Sequence, residues 1–138
     1  MNKSDLQTLS KVRINEANVL LKNKHYNGAY YLAGYAVECA IKACWAGRIR
    51  NNVVPERDFG DKFYQHNLEK LMRNAGLWTQ FEKDMNAEPL LKLNWAIVKD
   101  WSEVSRYRHS ISPAIASDLY KAITARKFGI LGWVKKCI

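Results

Sequence analysis

Residues 26–47 read YNGAYYLAGYAVECAIKACWAG, and this stretch decides the fold. It is apolar around almost its whole circumference, wider than the ~100° stripe that is typical of a surface helix. Its only full charges, Glu38 and Lys42, stand four residues apart, where the two side chains can meet on one face of a helix. Its many small residues let neighbouring backbones approach closely. We predict a central helix that the rest of the chain covers on most sides.

The residues before this stretch predict a first helix over 1–24. Ser4 and Gln7 fit a capping box, in which each side chain binds a free backbone N–H of the first turn. The turn at 24–28 is short and contains Asn and Gly, which favour turns. Because short connections join neighbouring antiparallel helices, we expect the first two helices to pack side by side.

The residues after the central stretch begin with the longest irregular segment, 48–66, which Pro55 and Gly60 interrupt. Connections of this length are uncommon in compact domains and are often functional. A short third helix is predicted from about residue 67 to residue 75. Gly76 is placed to end it, because glycine readily adopts the left-handed backbone that closes many helices.

Three signals organise the next segment. Thr79 and Glu82 fit a second capping box, for a short helical piece that runs through Met85. Pro89 suits the first position of a fourth helix, where its missing N–H costs no hydrogen bond. Apolar residues after it recur at spacings of three and four through Ser105, so we favour a helix over a strand there.

The C-terminal third begins with the basic, hydroxyl-rich junction RYRHSIS at 106–112. Ser112 and Pro113 predict the N-cap and first position of the last long helix. Residues 130–134 fit one closing amphipathic turn. Without repeats or strong strand signals, the sequence predicts an all-α fold. We expect an antiparallel bundle of about five helices in a single domain over 1–138.

The bulk composition narrows the class of protein. The chain has 22 Lys and Arg against 13 Asp and Glu, a net charge of +9, which favours nucleic acid, nucleotides or an acidic partner. Three cysteines cannot all pair within one chain, so we expect free thiols in a reducing, cytoplasmic location. We expect no signal peptide and no membrane span.

Most motifs of known chemistry are missing. The chain has no phosphate-binding loop ending in Lys-Ser/Thr and no dinucleotide fingerprint. It also lacks paired CxxC motifs and a pair of histidines at helical spacing, so we expect no metal site. We therefore predict neither a cofactor nor a metal.

The densest chemistry lies at 100–109, where DWSEVSRYRH combines two arginines, a tyrosine, a histidine and carboxylates. Arginine can bind phosphate through two donors, and histidine titrates near neutral pH. Such a set would suit metal-free cleavage of RNA. The alternative is structural: Arg106 pairs with Glu103 or another carboxylate, Tyr107 packs in the core, and His109 caps a helix or is solvated.

Three segments, in this order, resemble the HEPN domain, the "higher eukaryotes and prokaryotes nucleotide-binding" helical bundle. AYYLAGYAVECAIKACWAG is similar to the family's second helix, and HNLEKLM at 66–72 is similar to a His-x-Leu-x-x-Leu segment that follows it. NWAIVKDWSEVSRY at 94–107 is similar to a Trp-rich stretch that ends in Arg-Tyr. The closing residues 133–136 also fit the family.

The resemblance implies a bundle of four or five helices, usually a homodimer. Many members are metal-independent ribonucleases of toxin–antitoxin, defence and RNA-processing systems. Others accompany a small nucleotidyltransferase or act as non-catalytic binding modules. In the nuclease members, four to six residues separate an arginine from a later histidine, whereas only two residues separate Arg106 from His109 here.

These observations predict a module that binds RNA, a nucleotide or a protein partner in a stress or defence system, without strong catalysis. The expected binding residues are Arg106, Tyr107, Arg108 and Glu103. One alternative is a dimeric, metal-independent endoribonuclease with Arg106 and His109 as its catalytic residues. The other is an antitoxin-like or scaffold subunit for an acidic partner. The partners we expect are a second copy of the chain, RNA or a nucleotide, and a nucleotidyltransferase or another operon-encoded protein. The five tryptophans favour an interface, since tryptophan is enriched there.

Overall fold

A computed structural model describes residues 1–49 and 65–138, and this part of the chain is helical without any strand. It contains seven α-helices and one 3-10 helix: α1 (Lys3–Lys22), α2 (Tyr26–Arg48), α3 (Leu68–Asn74), α4 (Trp78–Ala87), α5 (Pro89–Val98), the 3-10 helix (Glu103–Tyr107), α6 (Pro113–Thr124) and α7 (Ile130–Lys135). The all-α prediction is confirmed. The sequence predicted about five helices because α4 and α7 are short and were treated as minor pieces.

The central helix α2 is confirmed at almost its predicted limits. It packs against α1, α3, α6, α7 and the 3-10 helix. Its core residues include Ala33, Ala36 and Val37, all fully buried. The predicted pair within it also forms, because the Lys42 ammonium lies 3.1 Å from the Glu38 carboxylate.

The cap of the first helix lies two residues earlier than predicted. The Asn2 side chain accepts a hydrogen bond from the Asp5 N–H at 2.8 Å, and the Asp5 carboxylate accepts one from the Asn2 N–H at 3.1 Å. The predicted Ser4–Gln7 box is therefore wrong. Asn2 is the cap instead of Ser4 because asparagine caps a helix as well as serine does, and because Asp5, three residues after Asn2, supplies the carboxylate that completes the box.

The ends of α3 and the start of α4 follow the prediction only in part. Asn67 caps α3 by accepting from the Lys70 N–H at 3.0 Å, and Gly76 ends the helix region with a φ of +77°. The predicted Thr79–Glu82 box is wrong, because α4 already begins at Trp78 and has no side-chain cap. Most of the predicted irregular segment 48–66 lies outside the described residues.

Both prolines start helices as predicted, but α5 is shorter than expected. Pro89 lies in the first turn of α5, and Ser112 caps α6 by accepting from the Ile115 N–H at 3.1 Å. α5 ends at Val98, so the prediction that one helix continues through Ser105 is wrong. Ser105 is nevertheless buried, because the 3-10 helix turns it back toward the core.

An aromatic cluster occupies the second half of the core. The Phe81 ring packs edge-on against Trp133, with centroids 4.6 Å apart, and against Trp95 at 5.0 Å. Trp78 lies 5.9 Å from Trp95, and Trp101 is buried elsewhere. Trp45 is also partly buried against the core, so packing within the chain involves all five tryptophans, which removes much of the sequence argument for an interface.

Two further expectations can be compared with the described residues. None of their helices combines the length and apolar character that crossing a bilayer requires. All three cysteines, Cys39, Cys44 and Cys137, are free thiols, as predicted.

Candidate nucleic-acid interface

Trp101, which lies two residues before Glu103, sets the position of the predicted site. This indole is almost fully buried and lies against Gly34 of α2, where a side chain on the glycine would collide with the ring. Its other neighbour is Tyr31, with ring centroids 6.1 Å apart and an interplanar angle of 27°. Trp101 thereby holds the 3-10 helix beside the N-terminal half of α2.

Both ends of the 102–111 segment are fixed by hydrogen bonds. Ser102 caps the 3-10 helix by accepting from the Val104 N–H at 3.3 Å. At the other end, the side chain of Asn27 accepts from the Ile111 N–H at 2.8 Å. The side chains between these points are therefore presented on an anchored segment.

Arg106 and Tyr107 form an exposed pair on this segment. Tyr107 is 70% exposed, and Arg106 donates to its hydroxyl at 2.9 Å. The guanidinium carbon also lies 4.8 Å from the ring centre. The hydrogen bond to Tyr107 raises the pKa of Arg106, and the Tyr31 hydroxyl acts in the same direction, so the guanidinium stays charged.

This pair contradicts two parts of the structural alternative from the sequence, whereas the exposed His109 agrees with its third part. Tyr107 does not pack in the core, and within residues 1–49 and 65–138 Arg106 makes no salt bridge with Glu103 or any other carboxylate. Glu103 is half-buried at the start of the 3-10 helix. The cation and the aromatic ring are therefore both available to a ligand.

The other two predicted residues have different neighbours. Arg108 is exposed and acts electrostatically on Tyr30, where burial raises the hydroxyl pKa and the nearby guanidinium opposes that shift. His109 is exposed and lines a shallow depression of about 340 Å³ beside His25 and the α1–α2 turn. Its described neighbours therefore differ from those of Arg106, which are Tyr107 and Tyr31.

A second polar cluster lies on α2 and was missed as a site by the sequence analysis. The Glu38 carboxylate is 2% exposed and accepts from Lys42 through Oε2 at 3.1 Å. Its Oε1 lies 3.0 Å from Nδ1 of His66, a residue 28 positions later in the chain. The Glu38/Lys42 spacing signalled only their pairing, and no local pattern could have placed His66 there.

The two clusters are connected along one side of α2, which we call the α2 face and define by Tyr31, Tyr35 and Glu38. Positions four and seven residues apart share a side of a helix. The rings of Tyr31 and Tyr35 have centroids 5.9 Å apart. Burial raises the pKa of the Tyr35 hydroxyl, so this side chain is a neutral hydrogen-bonding group.

The described residues contain no group of three or more His, Cys, Asp or Glu side chains that could hold a metal ion. The thiol nearest the α2 face, Cys39, is inert as well, because burial raises its pKa to about 12. The chemistry available on this surface is therefore that of Arg, Tyr, His and a buried carboxylate.

Comparisons with known proteins give no relative: no family model matches the chain, and no similar curated protein or solved structure is found. The resemblance to the HEPN domain therefore stays a prediction that rests on the sequence segments.

Proposed function

We propose that this chain is a HEPN-like domain that binds single-stranded RNA through the exposed pair Arg106 and Tyr107. The observation that carries the proposal is the geometry of that pair. A guanidinium that carries a full charge lies against a tyrosine ring that is 70% exposed. Grooves that bind single-stranded nucleic acid combine cations for the backbone with aromatic rings on which bases stack.

The surroundings support the same function. Arg108 adds a second exposed cation two residues after Arg106, and the whole chain carries a net charge of +9. Positive charge of this size attracts polyanions and speeds their association. In the proposed complex, a base stacks on Tyr107 while Arg106 and Arg108 contact the adjacent phosphates.

The test measures binding of a labelled, mixed-sequence single-stranded RNA by fluorescence anisotropy at several salt concentrations. Arg106→Ala should weaken binding and reduce the slope of log K against log salt by about 0.7, the value for one lost phosphate contact on a single strand. Tyr107→Ala should weaken binding by about tenfold, because stacking contributes about 1–3 kcal/mol per base. Tyr107→Phe keeps the ring and should bind nearly as well as the wild type.

Arg126→Ala is the charge-matched control. Arg126 is exposed and follows the C-terminal end of α6, a helix of 12 residues and about 18 Å whose N-terminal end comes after the site in sequence. It removes the same net charge and should leave the affinity nearly unchanged. An affinity and salt slope that are the same in Arg106→Ala as in the wild type would overturn the proposed function.

A protein-binding role is the second candidate, and a surface of α5 favours it. Leu90, Leu93 and Ile97 are 57%, 61% and 43% exposed on the side of α5 opposite its buried residues. A helix that is apolar all round is normally covered. We propose that a second copy of the chain covers it, since one patch can pair with itself across a two-fold axis.

The oligomeric state tests this second candidate. Light scattering should give the mass of two chains for the wild type and of one chain for Leu93→Glu. Ala87→Glu, an exposed change at the end of the preceding helix α4, should leave the dimer intact. A wild type that is monomeric at every concentration would exclude the self-association.

A further inference from the structure

The proposed RNA-binding surface continues from Arg106 along the α2 face toward His66. Tyr31 is next to Arg106, and its ring lies 5.9 Å from that of Tyr35. Glu38 follows Tyr31 by seven residues, which is a rise of about 10 Å along the helix axis. A dinucleotide spans this length, so a strand bound at Arg106 reaches His66 when it runs parallel to α2.

His66 has a fixed orientation at the far end of this path. Its Nδ1 lies 3.0 Å from the Glu38 carboxylate, which is itself buried and held by Lys42. An ionised carboxylate only accepts hydrogen bonds, so the neutral ring carries its hydrogen on Nδ1. Its Nε2 is then an acceptor, and the His66 side chain is 44% exposed.

This acceptor has no partner among the described residues, and it can bind only a group of the ligand that donates a hydrogen bond. Phosphate oxygens are acceptors and cannot donate to Nε2. Every base carries a donor on its Watson–Crick edge, but the position of that donor changes with the base, whereas the 2′-hydroxyl is a donor at the same place in every ribonucleotide. A binder without sequence preference therefore meets a donor at one fixed position in every nucleotide only if the strand is RNA.

We propose that Nε2 of His66 accepts a hydrogen bond from a ribose 2′-hydroxyl of the bound strand and makes the surface selective for RNA over DNA. The proposal rests on the proposed RNA-binding function and adds a specificity residue to the same surface. Glu38 is a positioning residue in it, because the carboxylate fixes the ring and does not touch the ligand.

The experiment compares three strands of one sequence: RNA, DNA and 2′-O-methyl RNA, each measured by anisotropy with the full chain. The wild type should bind RNA about five- to tenfold more tightly than the other two, as expected for one hydrogen bond. His66→Asn can still donate to Glu38 but lacks the second ring nitrogen. It should bind all three strands with nearly equal affinity.

Arg106→Ala separates this proposal from the one on which it rests. It should weaken binding to all three strands by the same factor and leave the RNA-to-DNA ratio unchanged. Wild-type protein that binds RNA and DNA equally would overturn the role of His66 while leaving the binding function in place. Equal affinity of the wild type for RNA and 2′-O-methyl RNA would do the same, without depending on any variant's fold.

Discussion

The indole of Trp101 lies so close to Gly34 that a Cβ built on the glycine would be 2.3 Å from the ring. This contact joins the predicted site to the central helix. Trp101 begins the segment that carries Arg106 and Tyr107, and its ring also stacks on Tyr31. A small residue in α2 is therefore the reason that the basic segment lies against this helix.

Gly34→Ala should destabilise the chain by about 1–3 kcal/mol, because the buried indole has no room to move without repacking. Urea unfolding followed by circular dichroism measures the change. Gly132→Ala is the matched control, since no atom lies within 4 Å of a Cβ at that position and alanine favours helix. Equal stability of Gly34→Ala and the wild type would show that the ring is not confined as described.

How far the sequence predicts this structure depends on the range of the interactions involved. Local signals placed α2, the end of α3 before Gly76, the cap at Ser112 and the helix start at Pro89, since each needs only a few neighbouring residues. The same signals failed at Ser4 and Thr79, where a nearby residue began the helix instead. Capping patterns occur more often than helix starts, and packing selects among them.

The site was predicted only in part for the same reason. Arg106 and Tyr107 were chosen from local composition, and their exposure favours that choice. The contact of His66 with Glu38 joins residues 28 positions apart, and the approach of Arg106 to Tyr31 joins residues even more distant. Such pairs are produced by the packing of helices, which residue spacing alone does not determine.

The buried ion pair of Glu38 and Lys42 should contribute far more to stability than the exposed pair of Glu69 and Arg73. Removing one member of a buried pair costs about 3–5 kcal/mol, so Glu38→Ala should lower the free energy of unfolding by that amount. Glu69→Ala breaks a pair with Arg73 that has the same spacing and is about half exposed, and it should cost about 0.3–0.5 kcal/mol. Denaturant unfolding of both variants measures the free energy of unfolding that each loses. Similar losses in Glu38→Ala and Glu69→Ala would contradict the prediction.

The hydrogen bond between Trp133 and Asp84 should make stability depend on pH. The indole donates to the Asp84 carboxylate at 2.8 Å and lowers its pKa. Because the folded pKa is the lower one, this contribution is complete above the ordinary Asp value of about 3.9 and is lost as the pH falls through the folded pKa. Trp133→Phe should therefore lose about 1 kcal/mol at pH 7 from the hydrogen bond, and less in acid.

Denaturant unfolding at pH 7 and near pH 3 tests whether this contribution to stability falls in acid. The stability difference between the wild type and Trp133→Phe should shrink as the solution is acidified, since protonated Asp84 binds the indole less strongly. Gln80→Ala is a useful comparison, because it removes the other donor to the same carboxylate, also at 2.8 Å, and keeps the aromatic core. A difference that is constant over this range would show that Asp84 does not respond to Trp133.

RNA cleavage in the presence of a chelator distinguishes the binding module from the metal-independent nuclease. Arg106 and His109 have different neighbours, and among residues 1–49 and 65–138 no carboxylate orients His109 as Glu38 orients His66. We therefore expect RNA to be bound and left intact. Cleavage by the wild type that Arg106→Ala and His109→Ala both lose would establish the nuclease at the predicted residues. Cleavage that survives in His109→Ala but is lost in His66→Asn would place the proton acceptor at the α2 face, because a buried carboxylate there fixes an imidazole whose other nitrogen has no partner among the described residues.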